Sequence, residues 1–431
     1  MSGAASKPHY YDLVCSVMEY DWGSRGESAL IHQLMRARGQ TTDPQKPAAE
    51  LWMGAHPKAP AHLPDGRALD QAIRADRAHF LGKWLADRGY SKLPFLFKVL
   101  DAARPLSIQA HPDRELAPQL HARDPANYPD DNHKPELAIN LGGMSALIGF
   151  RPPEEIAQFL KNIPELRALC TPSGSIYEEE NTDRAGLTPP NNDSDRRAFI
   201  KTLYAQLMQS SPTEIEEAVL AHRLRLSLLT DQNPPREDEL FLRLSQLYGD
   251  RDPGVFSVYF LNYLDLQPED ALFLGPNEPH AYLSGHILEC MAASDNVVRA
   301  GLTTKYMDLH TLLRMLHYRS GHPEFRRPKA EKNQRMSSYK IEADDFQVQR
   351  LDLSTDPLEL AQIDRPGILL ALNEALTVTA RTGKTDHPAT TFPRGSSILL
   401  PGDLSERKCS IRLTAPHSCH AYLATVGPKF G

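Results

Sequence analysis

Residues 132–162, "NHKPELAINLGGMSALIGFRPPEEIAQFLKN", hold two periodicities that no single element can satisfy. Up to Gly142–Gly143 apolar residues alternate, so Leu137, Ile139 and Leu141 share one face of a strand and Lys134 and Glu136 share the other. Pro135 favours an extended residue before it, which keeps Lys134 in register with Glu136. From Pro152 onward the apolar spacing becomes three or four, the signature of an amphipathic helix. The junction predicts a strand that ends at the double glycine and a helical insert that begins at residue 152.

Outward from that junction the same two patterns recur. "LPFLFKVLDA" (93–102) and "PLSIQAH" (105–111) read as short strands, and Pro112 then stops the strand while Asp113 caps a short helix. After residue 152, "DRRAFIKTLYAQLMQS" (195–210), "SPTEIEEAVLAHRLRLSLL" (211–229) and "REDELFLRLSQLYG" (236–249) are helical, with Ser211 as N-cap and Pro212 at the first helical position. The stretch "TPSGSIYEEENTDRAGLTPPNNDSD" (171–195) has no period and is expected to be a long surface loop. Strands resume with "VFSVYFLNYLDLQ" (255–267), "DALFLGPNEPHAYL" (270–283) and "HILECMA" (286–292), before a helix-like "YMDLHTLLRMLHY" (306–318). A basic, polar linker (321–335) leads to a second strand-rich region from about Ser338, where "GSSILLPG" (395–402) faintly echoes "EDALFLGP" (269–276).

The totals bound the function. At 431 residues the chain exceeds one ordinary core, and a formal net charge of -7 without a block of like charge excludes nucleic acid as a partner. The N-terminus lacks the apolar run of a signal peptide and no window reaches the length of a membrane span, so a soluble cytoplasmic protein is expected. Five scattered cysteines without a C-x-x-C pair argue against a disulfide framework or thiolate zinc site, and predict buried, reduced thiols.

Three segments carry chemistry. In "PLSIQAH" Ser107, Gln109 and His111 share a face, opposite Leu106, Ile108 and Ala110. In "PHAYLSG" (279–285) His280, Tyr282 and Ser284 do the same, and Glu289 lies inside the apolar "ILECMA", where an unpaired carboxylate would be costly. Arg299 and Lys305 are candidate cations for it, and Asp295 could orient one of them. Two histidines, a carboxylate and an amide oxygen suit a borderline metal such as Zn²⁺ and leave it a strong Lewis acid. Taken singly, each motif also reads as a solvated edge or a structural ion pair.

Together, "YDWG", "AELWMGAHPKAP", "LSIQAHPD", "NHKPELA", "PHAYLSG" and "ECMAASDNVVRAGLT" resemble the type I mannose-6-phosphate isomerase family across both strand-rich regions, in order. The resemblance implies a mainly β fold with an α insert: two cupin (jelly-roll) domains plus a helical domain. Residues 1–151 and 252–330 would form a discontinuous catalytic zinc cupin domain, 152–251 the helical domain and 331–431 a metal-free C-terminal cupin domain. It implies one zinc on Gln109, His111, Glu136 and His280, and interconversion of mannose 6-phosphate and fructose 6-phosphate. It gives Arg299 a catalytic or charge-stabilising role and places Lys134, Glu289 and Asp295 in the pocket; of these catalytic candidates, Glu289 or Lys134 is expected to carry the proton and Asp295 to tune a cation. Ser107, Lys98, Tyr282, Lys305 and His133 would line the pocket, and Arg299, Lys305 and Ser107 would meet the phosphate. The phosphosugar is the expected partner of a monomer.

Two departures from the family pattern stand out: His286 after "YLSG", expected on the opposite strand face from Glu289, and Thr304, expected to loosen the loop presenting Lys305. His56, His121, His222, His310, His417 and His420 read as surface or packing residues. The alternative function is a sugar-phosphate-binding cupin without turnover.

Overall fold

The computed structural model describes residues 7–171, 187–229, 234–331 and 334–430, so most of the expected loop at 171–195 lies outside the described residues. Two long antiparallel strands, Glu136–Phe150 and His280–Ala292, form the spine of a nine-stranded sheet. Strands Phe95–Ala102 and Glu50–Met53 extend it on one side, and Ile108–Ala110 and Val298–Gly301 pair beside His280. The chain is mainly β with a block of helices, in the cupin class.

The strand that starts at Glu136 does not stop at the double glycine, as its alternation predicts. It runs on to Phe150, and the ladder to its partner changes register three times between Asn140 and Ala146. Gly285 sits opposite this irregularity at φ 112, where a Cβ would lie 2.5 Å from the backbone of Met144. The shift has a functional consequence. Tyr282 and Glu289 are seven residues apart and would face opposite ways in a regular strand, yet the Tyr282 hydroxyl donates to Glu289 Oε1 at 2.9 Å. A Gly285→Ala substitution combines backbone strain with a clash, and should cost about 2–4 kcal/mol in urea denaturation. An unchanged midpoint would mean that the crossing tolerates a side chain.

The insert is helical as expected: Pro153–Asn162, Pro164–Cys170, Asp193–Gln209, Pro212–Leu228 and Arg236–Tyr248. Ser211 accepts from the Glu214 N–H at 3.3 Å and its own N–H donates to the Glu214 carboxylate at 2.7 Å, a full capping box. The insert's core residues Tyr204 and Phe241, with Tyr259 just after the insert, belong to one buried cluster with Ile108, Ala110, Ala281 and Val298. The helices therefore cover the apolar face of the strands whose other face carries Gln109, His280 and Arg299. Within this core His222 is fully buried; its Nδ1 accepts from Arg225 at 2.8 Å, and burial, then Arg225, lower its pKa to about 3. The unfolded chain binds that proton near pH 6.5 and the folded one does not until about 3, so this group's contribution to stability is lost as pH falls through that window. Relative to the wild type, His222→Gln should show a shallower loss of urea stability between pH 6.5 and 4.

The C-terminal strands form a seven-stranded and a five-stranded sheet around a shared core that includes Leu351, Leu369, Val378 and Leu413. Its outer face packs on the first sheet, with Tyr339, Phe346, Ile368 and Tyr422 against Phe95, Phe97, Val99 and Leu288. Two segments cross the boundaries expected from sequence. Tyr11–Leu13 pairs with Ser397–Leu400, and Lys329–Ala330 extends the same sheet. Where the second strand-rich region echoes the first, the turn after Pro401 serves docking. Gly402 lies so close to Leu81 and Gly82 that a Cβ would fall 2.4 Å from backbone, and Asp403 is 2.8 Å from His79 Nδ1.

All five cysteines are free; Cys170, Cys290 and Cys409 are buried as expected, whereas Cys15 and Cys419 are only half-buried. Among the described residues no helix is long and apolar enough to cross a membrane.

Candidate metal centre and active-site cavity

Three side chains from distant segments converge. His111 follows the strand Ile108–Ala110, Glu136 opens its long strand, and His280 opens the partner strand; all three are buried, with one ligand atom from each within 4.8 Å of the others. Gln109 stands directly across from His280 in the ladder and lines the adjoining cavity.

Their hydrogen bonds assign the protons. His111 Nδ1 is 2.8 Å from the Asn296 carbonyl and His280 Nδ1 is 3.0 Å from the Glu278 carbonyl. Carbonyls only accept, so each Nδ1 carries the hydrogen and each Nε2 presents a lone pair. Those lone pairs face Glu136: His111 Nε2 is 3.2 Å from Oε1 and His280 Nε2 is 3.5 Å from Oε2. Neither Nε2 has a hydrogen-bond partner, although both are buried. Burial, then Lys134, lowers the His111 pKa to about 4, so this ring is neutral at neutral pH. Two lone pairs converging on a buried carboxylate repel one another unless a cation lies between, and a metal ion resolves the conflict. The residues present fit a divalent metal with nitrogen and oxygen donors.

The centre opens into a cavity of about 710 Å³ lined by Lys98, Ser107, Gln109, Lys134, Tyr282, Glu289, Asp295, Arg299 and Lys305, among others. Lys134 Nζ is 3.1 Å from Glu136 Oε1, as the shared strand face predicts. The partner of Glu289 is different from the expectation. It is Lys98, at 3.1 Å, on the strand directly opposite, and not Arg299, which lies across the sheet beside Gln109. Burial and the neighbouring Glu136 charge raise the Glu289 pKa despite Lys98 and Lys134. Burial is also the leading influence on Arg299 and Lys305, lowering both; each stands without a carboxylate in ion-pair contact among the described residues. Their positive charge is available to a ligand.

Asp295 lines the cavity but does not touch Arg299 or Lys305; its carboxylate is 3.6 Å from His56 Nε2. His133 is corrected outright. Its Nε2 is 2.9 Å from Asp345 Oδ2 of the C-terminal region, so alternation from Lys134 turns it away from the cavity. His286 pairs with Asp101 at 3.0 Å, away from the centre as expected. The loop before Lys305 is secured without a proline. Asp252 accepts from Thr303 N at 3.0 Å, and Gly301 packs backbone to backbone on Gly254.

Sequence reasoning missed Glu50 and His56. Glu50 is buried, accepts from Trp52 Nε1 at 2.5 Å and lies 3.4 Å from Lys98. The signal was available: a carboxylate at the start of the apolar "ELWM" needs a partner for the same reason as Glu289. His56, with an 8% exposed side chain, stands edge-on to Trp52 in a way no local pattern announces.

A family model for the catalytic domain of type I phosphomannose isomerases matches residues 10–153. The chain is 35% identical over 426 residues to a mannose-6-phosphate isomerase of Homo sapiens, covering 95% of this chain and 96% of the relative. Mannose-6-phosphate isomerase 1 of Arabidopsis thaliana is 35% identical, over 97% of this chain and 94% of the relative. The crystal structure of a Salmonella typhimurium mannose 6-phosphate isomerase bound to substrate (f6p) and zinc matches with TM-score 0.79 and 29% identity, covering 97% of this chain and 100% of that chain. Since the identity runs nearly the length of both chains, and the family model spans two members of the buried His-Glu-His group, His111 and Glu136, the chain belongs to the type I mannose-6-phosphate isomerase family.

Proposed function

We propose that the protein is a zinc-dependent aldose–ketose isomerase that interconverts D-mannose 6-phosphate and D-fructose 6-phosphate through a cis-enediol. The observation that carries the reading is the pair of buried, unpartnered Nε2 lone pairs facing Glu136 at the wall of a cavity that also holds unneutralised Arg299 and Lys305. Gln109, His111, Glu136 and His280 would hold the zinc, which supplies Lewis-acid polarisation of a substrate oxygen.

The chain's own residues account for the rest. Arg299 and Lys305, with Ser107, offer the phosphate a charge-assisted site free of internal competition. The isomerisation needs a group that takes the proton from one carbon and returns it to the next. Glu289 suits that role: it is buried beside the cavity, its basicity is raised, and the Tyr282 hydroxyl and Lys98 fix its carboxylate. Lys134, engaged by Glu136 Oε1, is suited to stabilising charge on the substrate oxygens. Asp295 acts on His56, holding the rim of the cavity.

The same reading treats residues 1–151 with 252–330 as the catalytic cupin domain, 152–251 as the helical domain and 331–431 as the second cupin domain. Strand Tyr11–Leu13 and Lys329–Ala330 are lent to the C-terminal sheet.

The test is fructose 6-phosphate production from mannose 6-phosphate by the zinc-loaded protein, repeated after chelation and after zinc restoration. Turnover lost on chelation and regained with zinc is expected. No turnover in the zinc-loaded protein would sink the isomerase reading, and full turnover after verified metal removal would sink the zinc assignment.

A further inference from the structure

We propose that Asp345, a residue of the C-terminal region, is a positioning residue for the metal centre; the inference rests on the zinc reading above. Residues 129–135, which lead into Glu136, form no strand, so no ladder fixes their path. One backbone bond, from Ala292 N–H to the Pro135 carbonyl at 3.1 Å, holds their end, Asn296 Nδ2 donates to the Asp130 and Asn132 carbonyls at 2.6 and 2.9 Å, and further side chains do the rest. On one side Asn132 donates to the Ala293 carbonyl at 3.3 Å, and on the other His133 Nε2 is 2.9 Å from Asp345 Oδ2. The same carboxylate oxygen accepts from Arg114 Nη2 at 3.1 Å, and Arg114 Nε is 3.2 Å from the His133 ring. Arg114 is three residues after His111, and His133 is three before Glu136 and adjacent to Lys134. One buried carboxylate thus clasps the two segments that deliver two ligands and the lysine beside them.

Asp345 is itself closely packed. It is 3% exposed; Phe346 after it is fully buried between the sheets, and Gly427 packs against the Asp344 carbonyl so closely that a Cβ would be 2.1 Å away. Position therefore passes from the packed core of the second sheet to the ligand-bearing segments of the first. Partners that orient ligands typically alter metal affinity or activity by about 10–100-fold when removed.

The experiment uses the full chain. Zinc affinity is measured by chelator competition, and kcat and KM for mannose 6-phosphate are measured separately, for the wild type, Asp345→Ala, Asp345→Asn and Arg350→Met. Arg350 is the control: it pairs with Glu269 across the same interface at 2.5 Å but touches neither ligand segment. Asp345→Ala should weaken zinc about 10-fold and lower kcat, with KM nearly unchanged. Asp345→Asn keeps an acceptor and should fall between Ala and wild type. Arg350→Met should lower the melting temperature and leave zinc affinity alone. Wild-type zinc affinity and kcat in Asp345→Ala, or equal zinc loss in Arg350→Met, would overturn the inference. A wild type that neither binds zinc nor turns over would overturn the functional reading instead.

Discussion

Glu136→Gln is expected to abolish tight zinc retention and to lower turnover by about 10³-fold or more, because Lewis-acid polarisation by a metal is worth several kcal/mol at the transition state. The substitution conserves volume and removes one charge. It also leaves Lys134 Nζ, 3.1 Å from the former carboxylate and mostly buried, without its counter-ion. The readout that isolates the metal is the change in melting temperature on adding zinc. Binding to the folded state alone stabilises by about 4 kcal/mol at a thousand-fold excess over Kd, so the wild type should shift upward and Glu136→Gln should not. Stoichiometric zinc and near-normal turnover in the variant would remove Glu136 from the ligand set.

Glu289→Gln is expected to lower kcat by about 10²–10⁴-fold, the range of positioned proton transfer, while KM changes little. Fold loss is not the explanation to expect, since Lys98 keeps Glu50 at 3.4 Å when the Glu289 charge is removed. The pH profile adds a second check. A base must be ionised, and burial raises the Glu289 pKa; burial persists with metal bound. The acidic limb of kcat/KM should therefore lie above the ordinary glutamate range, with rate falling as pH drops through it. Lys134→Met with a larger kcat loss than Glu289→Gln, together with an acid limb in the ordinary range, would transfer the proton-carrying role away from Glu289.

Alternation placed Lys134 beside Glu136 correctly, whereas neither the side that Glu289 faces nor its partner was readable from it. Strand periodicity put Lys134 with Glu136, and Ser107 with Gln109 and His111, on single faces, because the two-residue period is a property of the extended backbone itself. The change to helical spacing after Pro152 marked the insert for the same reason. A carboxylate inside "ILECMA" announced a buried charge, since desolvation makes such a residue expensive anywhere. Which cation answers it is another kind of question.

By itself the sequence determined the element types, the polar faces and, through motif resemblance, the family; of the ligand set that the resemblance implies, His111, Glu136 and His280 converge in the structure. Only the tertiary structure decided that Lys98 and not Arg299 pairs with Glu289, that Glu50 lines the cavity while His56 stands against Asp295, and that His133 turns toward Asp345. The physical reason is register. Side-chain direction along one strand follows from local geometry. What lies opposite depends on how distant strands slide past each other, and here that was set by the ladder shifts facing Gly285 and by the packing of the second sheet.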